Sequence, residues 1–208
     1  SAFFQTSPAE PGRYLRRHID RWIDQRMGES RTPDKVLKIL AGFSQDEEAL
    51  HWALARAEAD WGKHALSSAI FQFVETDYYT ASMGSPLLKT FWAFEIPGAP
   101  EDLAHWKQQT NQWEIDFTQA HVRDVARPIN LDPGYLTLGK LVLASTKDHA
   151  HRIYLHSGIF AEVTLGYRNR KWQPWEWTYP DYRREDVQSF FDQCRDYLRN
   201  TLLPSTVH

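Results

Sequence analysis

Two short runs, RIYLH at 152–156 and IFAEVTLGY at 159–167, are separated by only Ser157-Gly158. A two-residue link containing glycine joins antiparallel neighbours, and a lone hairpin is not stable in water, so this chain must build a sheet of several strands. Other short runs supply candidates: VLKILAGF at 36–43, Ala69 to Glu75, and Leu88 to Glu95, the last two rich in Phe, Ile, Val and Trp. Between them the apolar spacing changes to three and four residues. Leu50, Ala53, Leu54, Ala57 and Trp61 mark one helical face, with Ser44 and Glu47 at capping-box spacing before it and Gly62 after it. Leu103, Trp106, Thr110, Trp113 and Phe117 mark a second, entered through Pro100. The order strand, helix, strand, strand, helix, followed by Pro128 to Leu131 as a fourth strand, predicts an α+β fold with a ferredoxin-like split β-α-β core. The two helices are expected on one face of its sheet. The 152–167 hairpin, an edge strand over Trp172 to Thr178 containing Pro174, and a C-terminal helix carrying Val187, Phe190, Phe191, Cys194, Tyr197 and Leu198 extend that core.

The chain of 208 residues divides by pattern into an N-terminal extension, 1–34, and a single α+β domain, 35–203. In the extension Leu15, Ile19, Trp22 and Ile23 share a helical face among Arg13, Arg16, Arg17 and Arg21. This amphipathic arm is expected to dock on its own domain, on a second copy or on a protein partner. A net charge of −3 excludes a general nucleic-acid binder, which needs clustered cations facing phosphates. The only cysteine, Cys194, cannot form an intramolecular disulfide, which favours a reducing cytoplasm. Apolar runs such as LVLA at 141–144 fall far short of the ~20 residues that span a bilayer.

Asn130 to Tyr182 concentrates cations, carboxylates and imidazoles among strand-like runs, a mixture suited to a cleft rather than core filling. Gly134-Tyr135-Leu136-Thr137-Leu138-Gly139-Lys140-Leu141 nearly spells a phosphate-binding loop, but Leu141 stands where a hydroxyl must bind magnesium. The match is read as accidental. A less demanding anion site can be assembled from Lys140, Lys147 and Arg152 with Lys89, using charge-assisted hydrogen bonds. Tyr135, Tyr179 and Asp181 complete the ligand-binding set, while Asp132, His151 and Glu162 are the candidates for acid–base work. Asp132-Pro133-Gly134 reads first as a turn, and Asp77-Tyr78-Tyr79 as an aromatic-carboxylate pair on a loop. His149, His151 and Glu162 have the types, though not an assured geometry, for a metal site. No metal is assigned, and no cofactor is specified. Cys194 falls on an apolar helical face and is no nucleophile.

NLDPGYLTLGKLVLASTKDHAHRIYL, GIFAEVTLGY and WTYPDYR, with TDYY, MGSPLLK and TNQWE before them, resemble the bacterial family catalogued as domain of unknown function 4416. The resemblance covers about residues 35 to 195. It implies a small cytoplasmic domain without an established activity, although some members carry the label GTP-binding protein. The function expected from the residues is binding or processing of a small anionic, phosphate-containing ligand, with a nucleotide among the candidates. The alternatives are a non-enzymatic interaction module and a metal-dependent hydrolase.

Overall fold

The computed structural model describes residues 30–73 and 80–202, and the architecture below belongs to the unit Asp34–His208. The Arg-rich arm and Asp77-Tyr78-Tyr79 lie outside the described residues. Strands β1 (Leu37–Ser44), β2 (His64–Ser67), β3 (Phe71–Phe73), β4 (Leu87–Phe94), β5 (Ile129–Leu136), β6 (Lys140–Ser145), β7 (Ile153–His156), β8 (Ile159–Arg168) and β9 (Lys171–Pro174) form one sheet, ordered β2-β4-β1-β5-β6-β8-β7. β3 adds to β4 and β9 to β8, and every pairing is antiparallel. Helices α1 (Glu47–Trp61), the single turn α2 (Thr80–Met83), α3 (Leu103–Ala120) and α4 (Glu185–Tyr197) are the α-helices among the described residues.

β1 is central, and all eight of its residues are buried because both sheet faces are covered. The pleat sends Leu40 to the layer of α1 and α3, where it meets Trp61, Trp106, Trp113 and Phe117. Leu37, Ile39 and Ala41 point to the opposite layer, where α4 brings Val187, Phe190, Phe191 and Cys194. The C-terminal helix therefore covers a second face, and the hairpin continues the same sheet. The abundance of aromatics is mostly a core property. Trp61 lies 5.0 Å from Trp113 and 5.2 Å from Phe94, ring centre to ring centre, and Phe91 lies 5.3 Å from Phe191. Gly42 is required by close approach, since a Cβ there would sit 2.7 Å from the Trp92 ring.

Local chemistry corrects two expectations. α1 is capped by Asp46, whose carboxylate accepts from Glu48 N, while the Ser44 hydroxyl donates to Pro128 O and fastens β1 to the entry of β5. The fourth strand runs to Leu136, so Asp132-Pro133-Gly134 is extended strand and not a turn. GYLTLGKL is the end of β5, a tight turn and the start of β6, with Thr137 N donating to Lys140 O. That geometry offers no loop-to-helix nest for phosphate. At the other hairpin, Ser157 and Gly158 have φ of +54° and +75°, the left-handed pair expected of a two-residue turn.

Trp113 is 1% exposed and joins α3 to α1 through Trp61. Trp113→Ala is expected to cost about 3–5 kcal/mol through lost burial and a residual cavity, read from urea unfolding. A loss below about 1 kcal/mol would show that this contact does not hold the helical layer to the sheet.

Candidate functional site

A proline opens the sheet. The β1–β5 ladder is continuous from Leu37↔Leu136 to Ser44↔Ile129, but the β5–β6 ladder stops at Gly134↔Leu143 although both strands continue. The stop coincides with Pro133, which has no N–H to donate. Beyond it Asn130 and Asp132 on β5 part from Ala144, Ser145 and Thr146, and the gap becomes an open cleft.

Cations reach this cleft from separate elements: Lys89 of β4, Lys107 of α3, Arg127 before β5, and Lys147 and Arg152 between β6 and β7. Asp132, Glu162 and Asp181 face them. Asp132 shares its sheet face with Ala41 of the α4 layer, yet Lys107 from the opposite layer donates to Asp132 Oδ1 at 3.0 Å and to Leu131 O at 2.7 Å. The ammonium thus meets the carboxylate at the break in the sheet. Asn130 Nδ2 donates to the other oxygen of Asp132 at 2.7 Å. Burial raises the Asp132 pKa, but the charge and hydrogen bond of Lys107, the charge of Lys89 and the Asn130 amide outweigh it and hold the carboxyl below its usual range. Asp132 is ionised and only weakly basic at neutral pH.

Lys89 and Asp181 form the floor. The ammonium lies 2.5 Å from Asp181 Oδ2, with both side chains at 5% exposure or less. The rings of Phe43, Phe73, Phe91 and Tyr182 surround Lys89 with centroids 4.8–5.3 Å away. Asp181 is positioned by the Pro180–Arg183 turn, and that turn by its neighbours. The Thr178 hydroxyl donates to Thr164 O, while Arg183 donates to the carbonyls of Thr178 and Trp175. WTYPDYR is therefore a clamp that delivers one carboxylate.

The third carboxylate depends on a bulge. Leu141↔Leu165 is followed by Val142↔Val163, which leaves Thr164 without an opposite partner. Its hydroxyl donates to Glu162 Oε1, and Arg152 Nε donates to Glu162 Oε2 at 2.8 Å. Arg152 Nη1 also donates to Ser145 Oγ and Lys147 O, tying the 146–152 loop to the sheet. His151 Nε2 stands 3.1 Å from Glu162 Oε2 and its ring stacks on Trp177, so its outlook is structural at least in part. Above, Glu114 Oε2 accepts Arg127 and its Oε1 accepts Leu131 N.

Of the residues singled out by sequence, Lys89, Asp132, Lys147, Arg152, Glu162, Tyr179 and Asp181 line this one cleft, and His151 touches it through Glu162. Lys140 does not. It is exposed at the β5–β6 turn, and Leu136 beside that turn pairs with the opposite end of β1 from Asn130. Tyr135 also falls away, because its alternate position faces the α1–α3 layer, where burial raises its pKa. Among the described residues no group of three or more His, Cys, Asp or Glu side chains is arranged to hold a metal ion. Lys107, Arg127 and Asn130 escaped sequence reading. Lys107 had a signal, a lysine interrupting the apolar face of α3.

The fold and site define an α+β domain with helices on both faces of a large antiparallel sheet and a charged cleft at a break in that sheet. The chain belongs to the family described as Domain of unknown function (DUF4416), whose model matches residues 34–197. No curated protein and no solved structure matches it. No helix among the described residues is long and apolar enough to cross a membrane.

Because its folded pKa is depressed, ionised Asp132 favours the folded state above the ordinary aspartate range near ~3.9, and this contribution is lost as pH falls through the folded value. Asp132→Asn is expected to be less stable than wild type at neutral pH, with the difference closing only as pH falls below the ordinary aspartate range in urea melts. A difference that stays constant from neutral to acid pH would contradict the ionised, lysine-held carboxylate.

Proposed function

We propose that the cleft binds a small phosphate-containing anion. The observation that carries this reading is the lining: among the described residues five cationic side chains, Lys89, Lys107, Arg127, Lys147 and Arg152, converge on one cleft from separate elements. A phosphate monoester at neutral pH carries between one and two negative charges, which a cation-rich lining attracts. A partly dehydrated site with preplaced guanidinium and ammonium donors recognises phosphate by charge-assisted hydrogen bonds. This is a binding reading first. Asp132 and Glu162 are already engaged by cations, and processing of the ligand would need a base that is not held so firmly. We further read β1, α1, β2, β4, α3 and β5 as the ferredoxin-like split unit, supported by the neighbour order β2-β4-β1-β5 and by both helices sharing one layer. A bacterial, cytoplasmic setting is likewise proposed, supported by the family resemblance and by the single cysteine, Cys194, being buried and unbonded to another.

A monophosphate ester at a hundred times its dissociation constant is expected to add about 2.7 kcal/mol, a rise of roughly 5 to 10 °C in melting temperature. The rise should be lost in Lys147→Ala with Arg127→Ala and kept in Lys140→Ala. Absence of a shift from every phosphate compound, or equal loss in Lys140→Ala, would reject the cleft as a phosphate site.

The interaction-module reading has its own observation. β7 ends the sheet with all four residues exposed, including Ile153 at 71% and Tyr154 at 58%. An apolar edge of this kind invites pairing with another strand. Concentration-dependent sedimentation is expected to show self-association that Ile153→Lys abolishes. A wild type that stays monomeric at all concentrations would remove self-pairing through this edge.

A further inference from the structure

Resting on the phosphate reading, we infer that the ligand is a monophosphate ester whose organic part carries hydroxyl groups, the phosphate meeting the cationic rim and the hydroxyls meeting Asp132 and Asp181. Three features support this assignment. Asp181 is fully buried and lines the cleft, yet its Oδ1 has no hydrogen-bond partner while Oδ2 is held by Lys89. A buried carboxylate oxygen without a donor is costly, and native proteins rarely leave one unmatched. Asp132, in the same cleft, keeps 29% of its side chain exposed after accepting from Lys107 and Asn130, so its oxygens have lone pairs to offer. The site therefore contains acceptors that a bare phosphate ion, itself an acceptor, cannot satisfy.

Charge selects among donors. Each of these carboxylates already has an ammonium, Lys89 on Asp181 and Lys107 on Asp132, so a neutral hydroxyl completes its hydrogen bonding without adding another cation. An ammonium-bearing ligand would face Lys89 and Lys107 at close range and be repelled. Charge also limits the anionic end. The carboxylates that attract hydroxyls repel additional phosphates, so a monoester is favoured over a triphosphate. Tyr179, 37% exposed at the rim, supplies an apolar ring face against which the carbon skeleton of a sugar or polyol can lie.

The test compares affinities of the full chain, by titration calorimetry, for inorganic phosphate, propyl phosphate, glycerol 3-phosphate, a hexose 6-phosphate, phosphoethanolamine and a nucleoside triphosphate. The hydroxylated monoesters are expected to bind at least about tenfold tighter than propyl phosphate, a difference typical of a buried hydrogen bond gained. In Asp132→Asn that preference, read as the ratio of the two affinities within the same variant, should shrink toward unity. Equal affinity of propyl phosphate and glycerol 3-phosphate would overturn the hydroxyl assignment and leave the phosphate reading standing. Tighter binding of phosphoethanolamine or of the triphosphate than of the hydroxylated monoesters would overturn it too. Binding of none of the compounds would remove both readings.

Discussion

The contact between Lys89 and Asp181 is the constraint around which the rest of the domain is arranged. Two charges that close to full burial would be expelled if they were apart, and several kilocalories per mole of desolvation oppose each of them. They are tolerated because the ammonium and the carboxylate lie 2.5 Å apart and four aromatic rings turn about the ammonium. Their value lies in placement more than in stability. The pair admits one position of the Pro180–Arg183 turn on β4, and with it one position of Tyr182 against Phe91 and Phe191, from which α4 follows.

A second constraint is an interruption. An antiparallel sheet with complete ladders is sealed by its own hydrogen bonds and has no place for a ligand among its strands. Here the β5–β6 ladder ends beside Pro133, and side chains from both layers and three loops converge where the strands part. The Thr164 bulge redirects Glu162 toward the same place, and Trp177 Nε1 and Thr178 Oγ1 occupy the β8 carbonyls of Val163 and Thr164 between the stretches paired with β7 and β9. Irregularities of a sheet are where a protein can aim polar groups at one another without losing backbone pairing elsewhere.

The resulting cleft separates polar groups that hold the structure from those with bonding capacity to spare. Arg152 is spent on Glu162, Ser145 and Lys147, and its loss would loosen a loop as well as a binding surface. Asp181 Oδ1 and the exposed part of Asp132 are different, because the fold positions them and then leaves them acceptor capacity. Rigid placement of such groups lowers the ordering cost of binding, which is what makes a charged cleft selective instead of merely sticky.

The sequence by itself determined the elements that depend on neighbours along the chain. The three-and-four spacing of Leu103, Trp106, Thr110, Trp113 and Phe117 is α3, and Ser157-Gly158 is the β7–β8 turn, because periodicity and left-handed dihedrals are local properties. Lys89, Asp132 and Glu162, charged residues inside strand-like runs, all line the cleft, since a charge in such a run needs a partner. What sequence could not resolve was side and register. Lys140 is nearer to Asp132 in sequence than Lys147 is, yet Lys140 is at the far hairpin and Lys147 at the cleft, because a strand carries its two ends apart. Lys107 reaches Asp132 from 25 positions away, and Lys89 finds Asp181 across 92. Only the tertiary structure decided these meetings, because a buried charge takes whichever partner the packing of distant elements brings within reach.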